Sequence, residues 1–243
     1  MSERIDLVLF DLDDTLYSHH AAVAGGLADQ LNQTPQQAEA AYQRWTELED
    51  LHYNRYLRGE CEFQEMRRVR VREFLADSRP SMTNDEADDW FAEYFQHYAA
   101  HWVVGAETLA ALAALRAANP AARFGIITNG ELGLQQRKVD VLGLTHLFEH
   151  VIASGAVGVA KPDPRIFAIA CETFGITASR AVYIGDRPLV DAVGAAEAGL
   201  TGIWFNDAGR VLAADEAAAL AAAGVIEITG MLDLPGVLYG ARS

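Results

Sequence analysis

The sequence predicts an α/β fold: a parallel sheet covered by helices on both faces, interrupted by an inserted α-helical bundle. Three observations predict it. From about residue 103 onwards, short apolar runs of strand length alternate with helical patterns, the signature of crossover-connected parallel strands. One further run of this kind, Ile5 to Phe10, lies near the start of the chain. Between the two, residues 18–102 read as helical throughout, with no clear strand. The expected division is therefore 1–17 with 103–243 as the α/β part and 18–102 as the helical insert.

Each element has a local cause. Ile5–Phe10 is short and wholly apolar but for Asp6, as a buried strand requires. In the insert, Val23, Leu27 and Leu31 mark a first helix. Thr34-Pro35-Gln36-Gln37 offers an N-cap, a proline at the first helical position and a capping-box glutamine. Ala38, Ala41, Trp45 and Leu48 then recur at helical spacing. Phe63, Met66 and Val69 mark a third helix, extended to Phe74. Thr83 with Glu86 repeats the capping box ahead of Trp90, Phe91, Tyr94, Phe95 and Tyr98. About four helices make a small bundle, and the aromatic stripe is its core. Arg67, Arg68, Arg70 and Arg72 read as a solvated face paired with Glu65 and Glu73. His19 and His20 read as an exposed hinge pair. After Gly105, Leu109, Leu112 and Leu115 turn one helix inward. Strands are expected near 123–128, 150–153, 181–184, 201–205 and 225–228, with Ala213–Ala223 as a surface helix.

Composition narrows the function. The chain has 243 residues, 51% of them hydrophobic, enough to bury a core for one α/β domain plus an insert. A formal net charge of −15 argues against nucleic acid or an anionic membrane as a partner. Cys61 and Cys171 have no metal-binding spacing and read as ordinary thiols of a reducing compartment. No basic, apolar leader pattern stands at the start, and Ile5–Phe10 is too short to span a bilayer. The expected setting is cytoplasmic, as a monomer or homodimer.

The residues that carry chemistry stand at predicted strand ends. Phe10-Asp11-Leu12-Asp13-Asp14-Thr15-Leu16 places two carboxylates where the first strand breaks into a loop. Asp11 and Asp13 can then reach one cleft from different sides, as a nucleophile beside a general acid/base, with a divalent cation screening their repulsion. Alone, such a pair in so acidic a chain is more often a solvated loop or a helix start. Arg123–Ile127 ends in Thr128-Asn129-Gly130, a hydroxyl followed by backbone N–H groups suited to a phosphate, or else an ordinary Asn-Gly turn. Lys161, before Pro162, is one of only two lysines among 19 Lys and Arg, the other being Lys138. Its compact ammonium fits among carboxylates and a phosphate better than a guanidinium fork does, and it reads equally as a solvated loop lysine. Ala181–Ile184 ends in Gly185-Asp186, and Asp191 follows about a helical turn later. One of these carboxylates can ligate a cation while the other braces the site, or else they are an N-capping and an exposed aspartate.

Together and in this order, the four segments resemble the haloacid dehalogenase-like superfamily, in its phosphatase branch. Its motifs match Asp11-x-Asp13-x-Thr15, Thr128, Lys161-Pro162 and Gly185-Asp186-x-x-x-x-Asp191. The resemblance implies a Rossmann-like parallel sheet core and a helical cap inserted between the first two motifs. It implies that Asp11 is the phosphoryl-accepting nucleophile and Asp13 the acid/base. Thr128, Asn129, Gly130 and Lys161 would hold the phosphate. Mg²⁺ would bind to Asp11, Asp186 and the Asp13 carbonyl, with Asp191 in support. Asp14 is assigned no catalytic role. The substrate implied is a small phosphorylated metabolite such as a nucleotide or sugar phosphate. A phosphomutase, a 2-haloacid dehalogenase and a non-catalytic regulatory protein remain as alternatives. Loss of Lys161 is expected to harm catalysis more than stability.

Overall fold

The computed structural model, which describes residues 4–34 and 36–240, has its first strand, β1, at Leu7–Phe10, and all four of its side chains are fully buried. Side chains leave both faces of a strand, so an apolar run needs cover on both sides, the condition of a central parallel strand. Each such side chain contributes roughly 1.5–3 kcal/mol by leaving water. After β1 the chain enters the insert. Its contacts divide it into two units, residues 1–18 with 103–243 and residues 19–102.

The helical unit holds α1 (His19–Leu31), α2 (Glu39–Leu57), α3 (Phe63–Phe74) and α4 (Asn84–Ala100). Helix α1 packs on α4, α2 on α3, and α3 on α4. The core centres on Trp45, whose ring lies 5.0 Å from Phe74, 5.4 Å from Trp90 and 4.8 Å from Tyr94. Helix α2 starts later than expected. Thr34 and Gln37 do bond reciprocally, at 2.8 and 3.3 Å. The N–H groups of Gln37 and Ala38 both return to the Thr34 carbonyl, closing a separate turn before the helix begins. Pro35, expected at the first helical position, lies outside the described residues.

The α3 arginines are not a solvated face. The Arg70 guanidinium is buried, 3.8 Å from the Trp45 ring centroid, and donates to Glu49 at 2.9 Å. Arg67 lies over Phe63 and Phe91, and Arg68 bonds Asp88 of α4. Arg72 does pair with Glu65, at 2.7 Å, whereas Glu73 takes the buried His52. Long cationic stems cover neighbouring aromatic faces here, and their heads find partners one helix away. The two histidines sit in the first turn of α1, not in a hinge loop, bonding Tyr98 and Tyr42 at 2.8 and 2.7 Å.

The expected box at α4 is present: Thr83 Oγ1 accepts from the Glu86 N–H and Glu86 accepts from the Thr83 N–H. Thr83→Ala is expected to cost the helical unit about 1 kcal/mol. Three of the four tryptophans, Trp45, Trp90 and Trp102, lie in this unit, so fluorescence in a urea titration of a Trp204→Phe background reads it directly. An unchanged midpoint would show that α4 needs no cap.

In the α/β unit, α5 (Ala106–Ala118) buries Ala111, Leu112 and Leu115 but leaves Leu109 46% exposed, contrary to expectation. Steps of three residues drift about 60° around a helix, so the two steps from Leu109 to Leu115 overrun a narrow buried face. There follow β2 (Arg123–Thr128), α6 (Leu132–Val141), β3 (His150–Ala153), α7 (Ser154–Val157) and α8 (Pro164–Phe174). Helix α8 starts as its sequence dictates, with Asp163 accepting from the Arg165 N–H and Pro164 in the first turn. Then come β4 (Ala181–Gly185), a π-helical segment (Pro188–Val193), α9 (Gly194–Glu197) and β5 (Thr201–Phe205). The last elements are α10 (Ala214–Ala223), β6 (Ile226–Ile228) and α11 (Leu234–Tyr239). Helix α10 buries only Leu220, as a surface helix should.

The six strands form one parallel sheet in the order β3-β2-β1-β4-β5-β6. The order reverses at β1, which lies between β2 and β4. Open α/β sheets bind ligands outside the carboxyl ends of the strands at such a switch. Phe10 is in register with Ile126 on one side and Ile184 on the other. The segments that follow these three residues therefore emerge at one edge: Asp11, Thr128 and Asp186. Among the described residues, no helix is long and apolar enough to cross a membrane. Cys61 is half-buried and Cys171 buried, both as free thiols.

Candidate active site

Asp11 leaves β1 at this edge, pinned by its N–H to the Ile184 carbonyl at 2.8 Å. Its side chain is buried and accepts from Lys161 Nζ at 2.6 Å. The same ammonium donates to Asp191 Oδ1 at 2.7 Å and to the Tyr183 hydroxyl at 2.7 Å. Tyr183, on β4, in turn donates to the Ile127 carbonyl at 2.8 Å. Lys161 thus has three partners drawn from three segments, and its head cannot wander. The loop that carries it is held as well. Asn129 donates to the Lys161 carbonyl at 2.9 Å and accepts from the Lys161 N–H at 2.8 Å. The Asn129 side chain is therefore a brace for the lysine loop, and only its main chain is left to meet a phosphate.

Asp191 lies in the π-helical segment and is fully buried. Its Oδ2 accepts from the Arg187 N–H at 2.9 Å. It reaches this place because Gly185 has no side chain: a Cβ there would stand 2.5 Å from the Asp191 carboxyl. Asp186 is half-buried, and its carbonyl accepts from Trp204 Nε1 at 2.9 Å.

A second cluster surrounds Asp13. Its Oδ1 accepts from Lys138 Nζ at 2.6 Å and from the Tyr17 hydroxyl at 2.5 Å. Gln135 Nε2 donates to Asp13 Oδ2 at 3.1 Å and to Thr128 Oγ1 at 2.8 Å. Gly130 makes room for that amide, since a Cβ there would fall 2.5 Å from Gln135 Nε2. Asp14, next in the loop, has a positive φ of 57°, a conformation that a short polar side chain tolerates. The structure therefore brings Asp11, Lys161, Asp186 and Asp191 together, with Thr128 and Asp13 linked through Gln135. Gln135, Lys138, Tyr17 and Tyr183 are functional candidates that the sequence reading missed. The scarcity of lysine that marked Lys161 marks Lys138 equally.

The electrostatics favour a cation. Burial raises the Asp11 carboxyl to about 7, against the pull of Lys161 and with Asp191 pushing the same way. Burial raises Asp186 to about 8, helped by Asp11, Asp191 and Asp14. Burial works against the Lys161 ammonium, but Asp11 and Asp191 outweigh it and hold it above its ordinary range. Carboxylate oxygens of Asp11, Asp186 and Asp191 lie within 4.8 Å of one another. Crowded, desolvated carboxylates of this kind suit a hard divalent ion. Both Asp191 oxygens already have donors, which leaves Asp11 and Asp186 as the fitting ligands.

Fold and site define a Rossmann-like α/β hydrolase core. The chain belongs to the haloacid dehalogenase-like hydrolase family, whose model matches residues 5–199. It is 41% identical over 83 residues to a phosphoserine phosphatase of Thermus thermophilus, 34% of this chain and 33% of that one. It is 24% identical over 216 residues to the N-acylneuraminate-9-phosphatase of Mus musculus, 86% of this chain and 85% of that protein. The first of these matches spans about a third of the relative's length. Among solved structures, the magnesium-bound HAD-hydrolase YfnB of Bacillus subtilis matches with a TM-score of 0.74 at 20% identity, over 97% of this chain and 99% of that one. A 2-haloacid dehalogenase of Pseudomonas syringae matches with a TM-score of 0.65 at 29% identity, over 96% and 98%.

Proposed function

We propose that this protein is a Mg²⁺-dependent phosphatase that hydrolyses a small phosphorylated metabolite through an aspartyl phosphate on Asp11. The observation that carries this reading is the buried Lys161 ammonium held between Asp11 and Asp191 at the carboxyl edge of β1. A phosphate ester is anionic and repels a carboxylate nucleophile, so a fixed positive charge beside Asp11 is what its attack needs.

In this reading Asp11 Oδ forms a bond to phosphorus as the ester oxygen departs. Asp13 passes its proton to that oxygen, then takes one from the water that attacks phosphorus and restores Asp11. Thr128 and the main chain of Asn129 and Gly130 orient the phosphoryl oxygens, and Lys161 stabilises their charge. Asp11, Asp186 and the Asp13 carbonyl would hold Mg²⁺. When bound, it would offset the charge that develops on the phosphoryl group. The helical unit carries none of these groups and is assigned the choice of leaving group, as a cap. The names of the relatives point to phosphorylated serine and sugar acids, hence to small metabolites as the substrate class.

Likeness to a 2-haloacid dehalogenase supplies the second reading, attack of Asp11 on carbon. A halide needs no proton, which leaves Asp13 and its donors without a task. Phosphate release from p-nitrophenyl phosphate and a panel of phosphorylated metabolites tests both readings. Turnover is expected with Mg²⁺, lost in EDTA and restored by Mg²⁺. Full activity in a metal-free sample would overturn the metal assignment. Halide release from a 2-haloacid without phosphatase activity would establish the second reading, and isomerisation of a sugar phosphate without phosphate release would make the protein a mutase.

A further inference from the structure

We propose that Lys138, with Tyr17 and Gln135, is a positioning residue that fixes the Asp13 carboxyl for proton delivery to the leaving oxygen. The proposal rests on the acid/base role given to Asp13 above. Lys138 is buried, yet it carries a charge. Burying an ammonium is costly, and an apolar side chain of similar length would serve stability as well or better. What the lysine adds is a bond of 2.6 Å to Asp13 Oδ1.

Tyr17 donates to the same oxygen at 2.5 Å from within the same loop, where Asp13 and Tyr17 also form an isolated bridge. Gln135 sits one turn before Lys138 on α6, on the same helix face. Its amide nitrogen meets Asp13 Oδ2 and Thr128 Oγ1 together, at 3.1 and 2.8 Å. The hydroxyl assigned to the phosphate and the carboxyl assigned to the leaving group are thereby tied through one side chain. Helix α6 begins directly after the Thr128–Gly130 segment, with Glu131 capping it. Its rigid inner face therefore transmits the position of the phosphate site to Asp13. A carboxyl on a loop has two free torsions, and proton transfer falls steeply when the acid is misplaced.

The consequence depends on the leaving group. An alkoxide must be protonated as it departs, whereas p-nitrophenolate departs well without a proton. Lys138→Met removes the charged donor and keeps the length. It is expected to lower kcat/KM on an alkyl phosphate, which reports the steps up to departure of the leaving oxygen, about tenfold or more, a share of the typical acid/base contribution. On p-nitrophenyl phosphate kcat/KM should stay within about threefold, because the departing phenolate needs no proton and the proton taken from water comes after that step. Tyr17→Phe, which removes one donor to the same oxygen, should shift the alkyl-to-aryl kcat/KM ratio in the same direction but less. It carries the test should Lys138→Met fail to fold. Asp13→Asn is the reference for complete loss of the acid. If Asp13→Asn lowers that ratio and the folded positioning variants do not, the proposal is overturned and the phosphatase reading stands. An equal fall in kcat/KM on both esters would assign Lys138 to phosphate binding or structure and overturn it too. If the wild-type chain hydrolyses neither ester, the phosphatase reading falls and the proposal falls with it.

Discussion

Asp11→Asn is expected to fold normally and to turn over at less than about a thousandth of the wild-type rate, a barrier rise of roughly 4 kcal/mol or more. The amide matches the carboxylate in shape, and its oxygen can still accept the Lys161 bond that Asp11 now takes at 2.6 Å. What disappears is the nucleophile. Asp191 is not free to replace it, being held by Lys161 and the Arg187 N–H, and Asp186 is assigned to the metal. The fold should not suffer. Asp11, Asp186 and Asp191 crowd one another, and burial raises both Asp11 and Asp186, so removing one charge relieves repulsion in the metal-free protein. Thermal melting in EDTA beside a phosphate-release assay checks both halves. Retention of a tenth of wild-type activity by this variant would end the assignment of Asp11.

Lys161→Ala should lower kcat/KM by about two or more orders of magnitude, roughly 3 kcal/mol. The sequence alone leads one to expect a catalytic loss with little effect on stability. Burial changes that expectation. Lys161 is 6% exposed and its partner Asp191 is 0% exposed, so the alanine leaves a carboxylate in the interior without its cation. Breaking one side of a buried pair costs about 3–5 kcal/mol in comparable settings. The melting temperature should therefore fall clearly in EDTA. Excess Mg²⁺ should recover part of it, by restoring positive charge near Asp11 and Asp186. Lys161→Arg should not rescue activity, since a planar fork cannot reach Asp11, Asp191 and Tyr183 from the space one ammonium fills. Wild-type kcat/KM in either variant would return Lys161 to an ordinary structural role.

The strands, the helical insert and the motif segments were legible in the sequence because each is set by local physics. Apolar runs of strand length pair into the sheet, and Ala181–Ile184 emerges as the strand expected. Thr83 and Glu86 cap α4 because both partners lie within one turn. Asp11, Lys161 and Asp186 could be picked out because each stands at a strand end or in a loop, in an order that resembles a known family.

What neighbours what across the sheet was decided only by the tertiary structure. Lys138 and Gln135 meet Asp13 across 125 and 122 positions, and Tyr183 meets Lys161 across 22. No local pattern encodes those distances. They depend on β1 lying between β2 and β4, which sets the segment after β2, and with it α6, beside the loop after β1. The same holds for Asn129, whose residue type suggests a phosphate ligand until the fold brings the Lys161 main chain within 2.9 Å of its amide. Arg70 reads as solvated in sequence and is buried over Trp45 for the same reason. Periodicity says which side of a helix faces inward, but only packing says which groups it meets there, and the bonds of a buried charge depend on the latter.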